Sequence, residues 1–374
     1  MSIYLDCNAT SPIEPAVAEL VRYYMEVEYG NSGSRTHIYG LNAKGAIEKA
    51  RQQVADVVEA QKDEVVFTSG ATESNNLAIL GLAAALRDKG KTHIVTTAIE
   101  HKAVLVPCGF LESQGFTVSF LEPDSNGAIS VEAVESAITE STGIISIMQV
   151  NNETGVIQPI AEIADLLDGS EIFFHVDAAQ GFGKLLEPLT HSRIDLISVS
   201  AHKIYGPKGV GALIARRKNY KRPPLAPLIY GGGQEKGLRA GTLPVPLIAG
   251  FGLAAELAVT NNKEWWIHCE KIKESALISM KEIDFILHGK NTLPNVINFS
   301  VNGVNSEAAI VALKGVAAIS NGSACTSSSY MPSHVLAGMK LDKDEIQGAL
   351  RISWCHMTKE VPWQEIFSRL KSLL

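Results

Sequence analysis

The chain has 374 residues, of which 46% are hydrophobic, and a formal net charge of −7. Such a length buries a large core and predicts two domains, and the acidic balance argues against gripping nucleic acid through a basic surface of its own. Five cysteines at wide, unpatterned spacing, with no CxxC pair, point away from a zinc site or a disulfide framework and fit a reducing, cytoplasmic compartment.

The start, Met1-Ser-Ile-Tyr-Leu-Asp6, lacks the basic-then-apolar pattern of a secretory signal. Short β-branched runs at 65–67, 93–97, 117–121, 144–150, 172–176, 196–200 and 210–214 predict strands. Helical patterns, such as 72–87 and 131–138, separate most of the earlier ones. This alternation reads as an α/β fold with a largely parallel sheet, in which ligands gather beyond the carboxyl ends of the strands. The basic group Arg216, Arg217, Lys218, Lys221 and Arg222 reads as a solvated loop face. The apolar stretch 244–259 is interrupted by Glu256, is too short for a membrane span, and opens one long helical pattern to about 281. Strand-like 296–301, a helix from 306 and a C-terminal helix ending at 374 then predict a smaller α+β domain.

The stretch with most chemistry is His175-Val-Asp-Ala-Ala-Gln180 followed by Ser200-Ala-His-Lys203. Lys203 can form an imine with a pyridine aldehyde, and Asp177 can keep the ring nitrogen protonated so that the ring accepts electrons from a carbanion. Those are the requirements of pyridoxal phosphate chemistry. For both residues the plain alternative is a salt-bridged surface pair. Thr68-Ser-Gly-Ala-Thr-Glu-Ser-Asn-Asn76 follows a predicted strand and opens a helix, a junction that binds anions or is simply an N-cap. His101 follows another strand and could stack on a cofactor ring and shuttle protons, whereas His37 and His175 read as structural. Asn152 ends a further strand at the same rim, and Gln180 could donate to a phenolate oxygen. Downstream, Cys325 lies among small polar residues, as a reachable thiol must, and Arg351 offers a planar fork suited to a carboxylate. No GxSxG elbow is present, and His175 with Asp177 is too little for a metal.

These ordered motifs resemble the cysteine desulfurases of the NifS/IscS type, within the class-V aminotransferases of pyridoxal phosphate fold type I. The likeness runs from Tyr4-Leu-Asp6 to Arg351-Ile-Ser353 and includes Gly322-Ser-Ala-Cys-Thr-Ser327. It implies a mainly parallel seven-stranded sheet in a large cofactor-binding domain at 15–255. Residues 1–14 and 256–374 would form the small α+β domain carrying the Cys325 loop. It implies that Lys203 bonds the cofactor, Asp177 faces the ring nitrogen, Gln180 the phenolate oxygen, and His101 stacks on the ring. Ala71, Thr72, Ser200 and His202 would hold the phosphate, with Thr242 reaching that of the other subunit of a homodimer. Asn152 would lie near cofactor and substrate, and Arg351 would bind the substrate carboxylate. L-cysteine would become L-alanine while Cys325 takes the sulfur as a persulfide for an acceptor protein.

Cys7 stands where relatives often carry asparagine or tyrosine and reads as structural. The segment Asp6-Cys-Asn-Ala-Thr10, with an end soon after the Arg351 strand, resembles the desulfurases of bacterial DNA phosphorothioation. Alternatives at this point are a housekeeping sulfur donor for iron–sulfur clusters or tRNA thiolation, a class-V aminotransferase or lyase with a dispensable Cys325, and an assembly scaffold with vestigial catalysis. No direct nucleic-acid or membrane contact is expected.

Overall fold

The computed structural model describes residues 2–321 and 332–374. The first part of the chain runs β1 (Ile3–Tyr4), α1 (Pro15–Glu26), α2 (Ile38–Asp56), β2 (Val65–Thr68), α3 (Ala71–Asp88), β3 (His93–Thr97), α4 (Lys102–Ser113) and β4 (Thr117–Leu121). It continues through α5 (Val131–Ala137), β5 (Thr142–Met148), α6 (Ile160–Leu166), β6 (Phe173–Asp177), β7 (Leu196–Ser200) and β8 (Gly211–Ala215). Then come α7 (Val245–Thr260), α8 (Asn262–Met280), β9 (Phe285–Leu287), β10 (Val296–Val301), α9 (Ser306–Ala312) and β11 (Ala317–Ala318). The chain closes with α10 (His334–Gly338), α11 (Lys343–Gly348), β12 (Ala349–Ser353) and α12 (Trp363–Lys371).

Seven strands form one sheet in the order β2-β8-β7-β6-β5-β3-β4. Only β8 runs against its neighbours, so the sheet is mainly parallel, as expected. Its strands are near-continuous apolar runs because both faces are covered. Alternate side chains go to opposite layers. Val65, Phe67, Val95, Ile145, Ile147, Ile197, Val199, Ala212 and Ile214 join one core with α1, α2 and α7. Val66, Ile94, Ile144, Leu196, Leu213 and Ala215 join another with α3 and α4.

A separate core gathers α8, α9, β10, β12 and α12, and Leu5 from the start of the chain belongs to it. There β10 pairs antiparallel with β9 and β12, while β1 pairs parallel with β11. The expected strands at 93–97, 117–121, 196–200 and 296–301 have those bounds. The single long helix expected to about 281 is two, α7 and α8, with the break at Asn261. Among the described residues, no helix is long and apolar enough to cross a membrane.

The basic group at 216–222 is not a uniformly solvated face. Arg216 is buried and donates to the carbonyls of Val58, Leu189 and His191, while Arg217 pairs with Asp63 at 2.8 Å. Carbonyls at the ends of local elements recruit the arginine inward, a demand that a linear charge pattern does not display. A second buried arginine, Arg51 on α2, makes a two-pronged ion pair with Glu235 at 2.7 and 2.8 Å, and Glu235 also accepts from the Phe67 N–H.

Candidate active site

Strands β3, β5, β6 and β7 are parallel, so the segments after them leave from one edge of the sheet. Two successive reversals through β8 turn β2 the same way as β7, which delivers the start of α3 to that edge. A cavity of about 430 Å³ opens there, bordered by Ala71, Thr72, His101, Asn152, Asp177, Gln180, Ser200, His202, Lys203 and Arg351. The sequence expectations thus meet in one place, with two exceptions. Thr242 is exposed and outside the cavity, and Cys325 lies outside the described residues.

One wall is the N-terminus of α3. Its cap, Gly70, has φ 153° and no side chain to accept from the first-turn N–H groups, which have no partner within the helix. A Cβ on Gly70 would sit 3.5 Å from Ser200 Oγ, so the hydroxyl stands beside those donors. Gly211 allows this approach, since a Cβ there would lie 2.6 Å from Gly70 Cα and 2.4 Å from the Val199 carbonyl. His202 shares Nδ1 with Thr10 Oγ1 at 3.1 Å, and burial, aided by the Lys203 charge, pushes its imidazole down to about 4. Together these groups offer donors that could hold a phosphate dianion.

Asp177 is the last residue of β6 and is buried. Its Oδ2 accepts from Asn75 Nδ2 at 2.7 Å and its Oδ1 from the Ala179 N–H at 3.0 Å. Lys203 ends a tight turn after β7, held by bonds from the N–H groups of Ile204 and Gly206 to the Ala201 carbonyl. Tyr205 follows in the left-handed region at φ 68°, braced by edge-on contacts with Trp265 and His356. The Lys203 Nζ donates to the carbonyls of Asn8 and Ala9 at 2.5 and 2.8 Å. Gln180 Nε2 also donates to the Asn8 carbonyl at 2.9 Å, and its Oε1 is buried without a hydrogen-bond partner.

His101 caps α4, its Nδ1 accepting from the Ala103 N–H at 3.1 Å. That bond leaves the proton of the neutral ring on Nε2. Burial holds the imidazole below its ordinary range, opposed by Asp177 and reinforced by Lys203. Beside it, Glu100 is wholly buried; Oε1 accepts from Thr97 Oγ1 and the Met148 N–H, and Oε2 has no partner. Burial first, then the Asp177 charge, pushes this carboxyl up to about 8 against those two hydrogen bonds. Arg351 on β12 donates from Nη1 to the Asn152 carbonyl at 2.9 Å and pairs through Nη2 with Asp6 at 2.7 Å, while Nε stays buried without a partner.

His175 bridges Ser146 and Ser198 at 2.8 and 2.9 Å inside the sheet, and His37 caps α2. Asn75, Glu100, Asp6 and the Asn8 and Ala9 carbonyls were not singled out from sequence. The residues fit pyridoxal phosphate: an anion site, a carboxylate for a ring nitrogen and a lysine for an aldehyde, with the second Nε2 proton of Gln180 left for a phenolate oxygen once the first is given to Asn8.

The class-V aminotransferase family model matches residues 3–361. The chain is 45% identical to the cysteine desulfurase IscS of Vibrio campbellii, over 96% of this chain and 89% of that protein. Among solved structures it superposes on a NifS-like protein with a TM-score of 0.89 and 35% identity, covering 100% of this chain and 98% of the other. It superposes on DndA from Streptomyces lividans with a TM-score of 0.82 and 45% identity, covering 92% and 97%.

Proposed function

The chain belongs to the class-V aminotransferase family and is a pyridoxal phosphate-dependent cysteine desulfurase, and from that premise we propose how its own residues divide the work. When bound, the cofactor supplies an aldehyde for amines and a ring that spreads the electron pair left at Cα. Lys203 would bond the aldehyde carbon, and the Asn8 and Ala9 carbonyls, which accept hydrogen bonds from Nζ, orient it. Asp177 would face the ring nitrogen, its two oxygens held in place by hydrogen bonds from Asn75 and the Ala179 N–H. Ala71, Thr72, Ser200 and His202 hold the phosphate.

His101 moves a proton at Nε2, the only nitrogen its helix cap leaves for the cavity. Arg351 and Asn152 orient the substrate carboxylate, for which Arg351 keeps a buried N–H at Nε. The Cys325 thiolate attacks the substrate sulfur; an S–S bond forms, the Cβ–S bond breaks, and its electron pair and a proton complete L-alanine. The single observation that carries this reading is the meeting of Lys203, Asp177 and His101 around one cavity beside the free end of α3.

We infer a homodimer. Met25 at the end of α1, Val27 and Tyr29 in the connection, and Ile38, Tyr39 and Leu41 at the start of α2 are exposed apolar side chains, and Thr242 stands outside its own cavity, where a second chain could use it. The separate cores support residues 15–255 as the cofactor domain and 1–14 with 256–374 as the smaller one. For the sulfur acceptor we propose a protein of a DNA phosphorothioation system, supported by the likeness to DndA. Tight binding to an iron–sulfur scaffold protein, with none to the DNA-modification partner, would replace that acceptor.

The deciding experiment is L-alanine formation from L-cysteine with reductant, comparing the unsubstituted chain with Cys325→Ala. Loss of alanine with retained cofactor absorbance supports Cys325 as the sulfur acceptor. Undiminished alanine in the variant overturns that role.

A further inference from the structure

Four cysteines among the described residues are buried free thiols, and two of them, Cys7 and Cys355, share a small cluster with Tyr205, edged by Trp265 and Met357. The pair is set by backbone. Asp6 bridges Ser353, and the Cys7 N–H donates to the Ser353 carbonyl at 3.1 Å, which brings the two side chains together from opposite ends of the chain. Both side chains pack into that one buried cluster, and Thr358 Oγ1 approaches Cys355 Sγ at 3.8 Å. The neighbouring Cys7 holds the Cys355 thiol below its usual range, while Cys355 and burial push Cys7 up, which favours Cys355 as the attacking sulfur.

A third thiol, Cys269, lines a neighbouring cavity of about 30 Å³ with Lys184, Tyr205 and Trp265. Since a single water needs roughly 10–15 Å³ of such space, the cavity has room for a molecule the size of hydrogen peroxide, and its Tyr205 and Trp265 walls are the side chains that pack around Cys7 and Cys355.

We propose that Cys7 and Cys355 are a redox-active dithiol that hydrogen peroxide closes to a disulfide. The Cys355 thiolate attacks one peroxide oxygen, the O–O bond breaks, and hydroxide leaves and takes up a proton as water. The Cys7 sulfur then attacks the Cys355 sulfenic sulfur, gives up its proton, and the S–O bond breaks to release a second water. Two thiols lose one electron each, and the peroxide gains both. The new bond joins the turn whose Asn8 and Ala9 carbonyls receive Lys203 to the end of the strand that carries Arg351. Oxidation at this point therefore ties the acceptors of the lysine covalently to the strand of the arginine.

The test treats the cofactor-loaded Cys325→Ala protein with hydrogen peroxide, blocks free thiols, and maps peptides without reduction. The expected result is a Cys7–Cys355 peptide pair, lighter by two hydrogen atoms than its parts, that dithiothreitol separates and that Cys7→Ser lacks. The same map on the unsubstituted chain serves if either variant folds poorly. Blocked, unlinked Cys7 and Cys355 at a peroxide dose that fully oxidises an added methionine-containing peptide would overturn the proposal, as would a Cys269–Cys355 link in its place. Linkage is read without turnover, so its failure is distinguishable from failure of the desulfurase roles.

Discussion

Asn75 reaches Asp177 with a hydrogen bond of 2.7 Å from a position with no exposed surface, and the acid has that amide as the partner of one oxygen. A hydrogen bond to a buried charge is worth about 1.5–3 kcal/mol. Asn75→Ala is therefore expected to lower kcat/KM for alanine formation roughly 10- to 100-fold. The bound-cofactor absorbance should shift as ring protonation weakens. An unchanged pH profile and rate would show that Asn75 does not support Asp177.

The carboxyl of Glu100 is expected to write a pH dependence into stability. Its value is raised in the fold from 4.5 to about 8, so the folded chain keeps a proton that the unfolded chain has already lost. Stability from this group is whole below about 4.5 and declines as pH rises toward 8. In Glu100→Gln that loss disappears, and the variant should gain relative to the parent by up to about 1.4 kcal/mol per pH unit across the window. Urea denaturation of both proteins at pH 5, 6.5 and 8 reads the difference; a flat difference would mean that the acid is not protonated in the fold.

Removing the carboxylate of Glu235 leaves the Arg51 guanidinium buried without its two-pronged partner, and the Phe67 N–H without its acceptor. Glu235→Ala should cost about 3–5 kcal/mol in chemical denaturation, far more than breaking the exposed Arg369–Glu365 pair. Equal effects at the two sites would contradict that ranking.

Gly211→Ala pushes a methyl against the Gly70 backbone and the Val199 carbonyl. Overpacking of this kind costs about 1–3 kcal/mol. Because the displaced residue caps α3, the variant should also lose pyridoxal phosphate more readily during gel filtration than the parent. Tight retention would show that the helix end does not carry the phosphate.

The parallel sheet was readable because its strands are short, apolar and β-branched, so Val65 to Thr68 and His93 to Thr97 declare themselves locally. The site was readable where its residues sit at strand ends in quoted motifs, as Asp177, Ser200 and Lys203 do. Asn75 was inside such a motif, but the amide becomes informative only once α3 lies beside β6. The acceptors of Lys203 are backbone carbonyls 195 and 194 residues away, and peptide carbonyls carry no sequence signature. Arg351 was legible as a carboxylate ligand, whereas its standing pair with Asp6 was not, because 345 residues separate the two. The Asn261–Asn262 break between α7 and α8 was hidden by continuous helical patterning on both sides.

The first dozen residues close the site they precede. Leu5 enters the second core, Asn8 and Ala9 receive Lys203, and Ser11 Oγ donates to the His202 carbonyl, yet Cys7 and Asn8 are held by Ser353. On a ribosome adding about 5–20 residues per second, the chain grows for roughly 17–70 s between making Asn8 and making its serine partner. Through that interval the leading segment has its partners at Gln180, His202 and Lys203 but not the one that Ser353 supplies. The lysine cradle is therefore within reach as soon as Gln180, His202 and Lys203 exist, but it is tied to the second core only once β12 has been made.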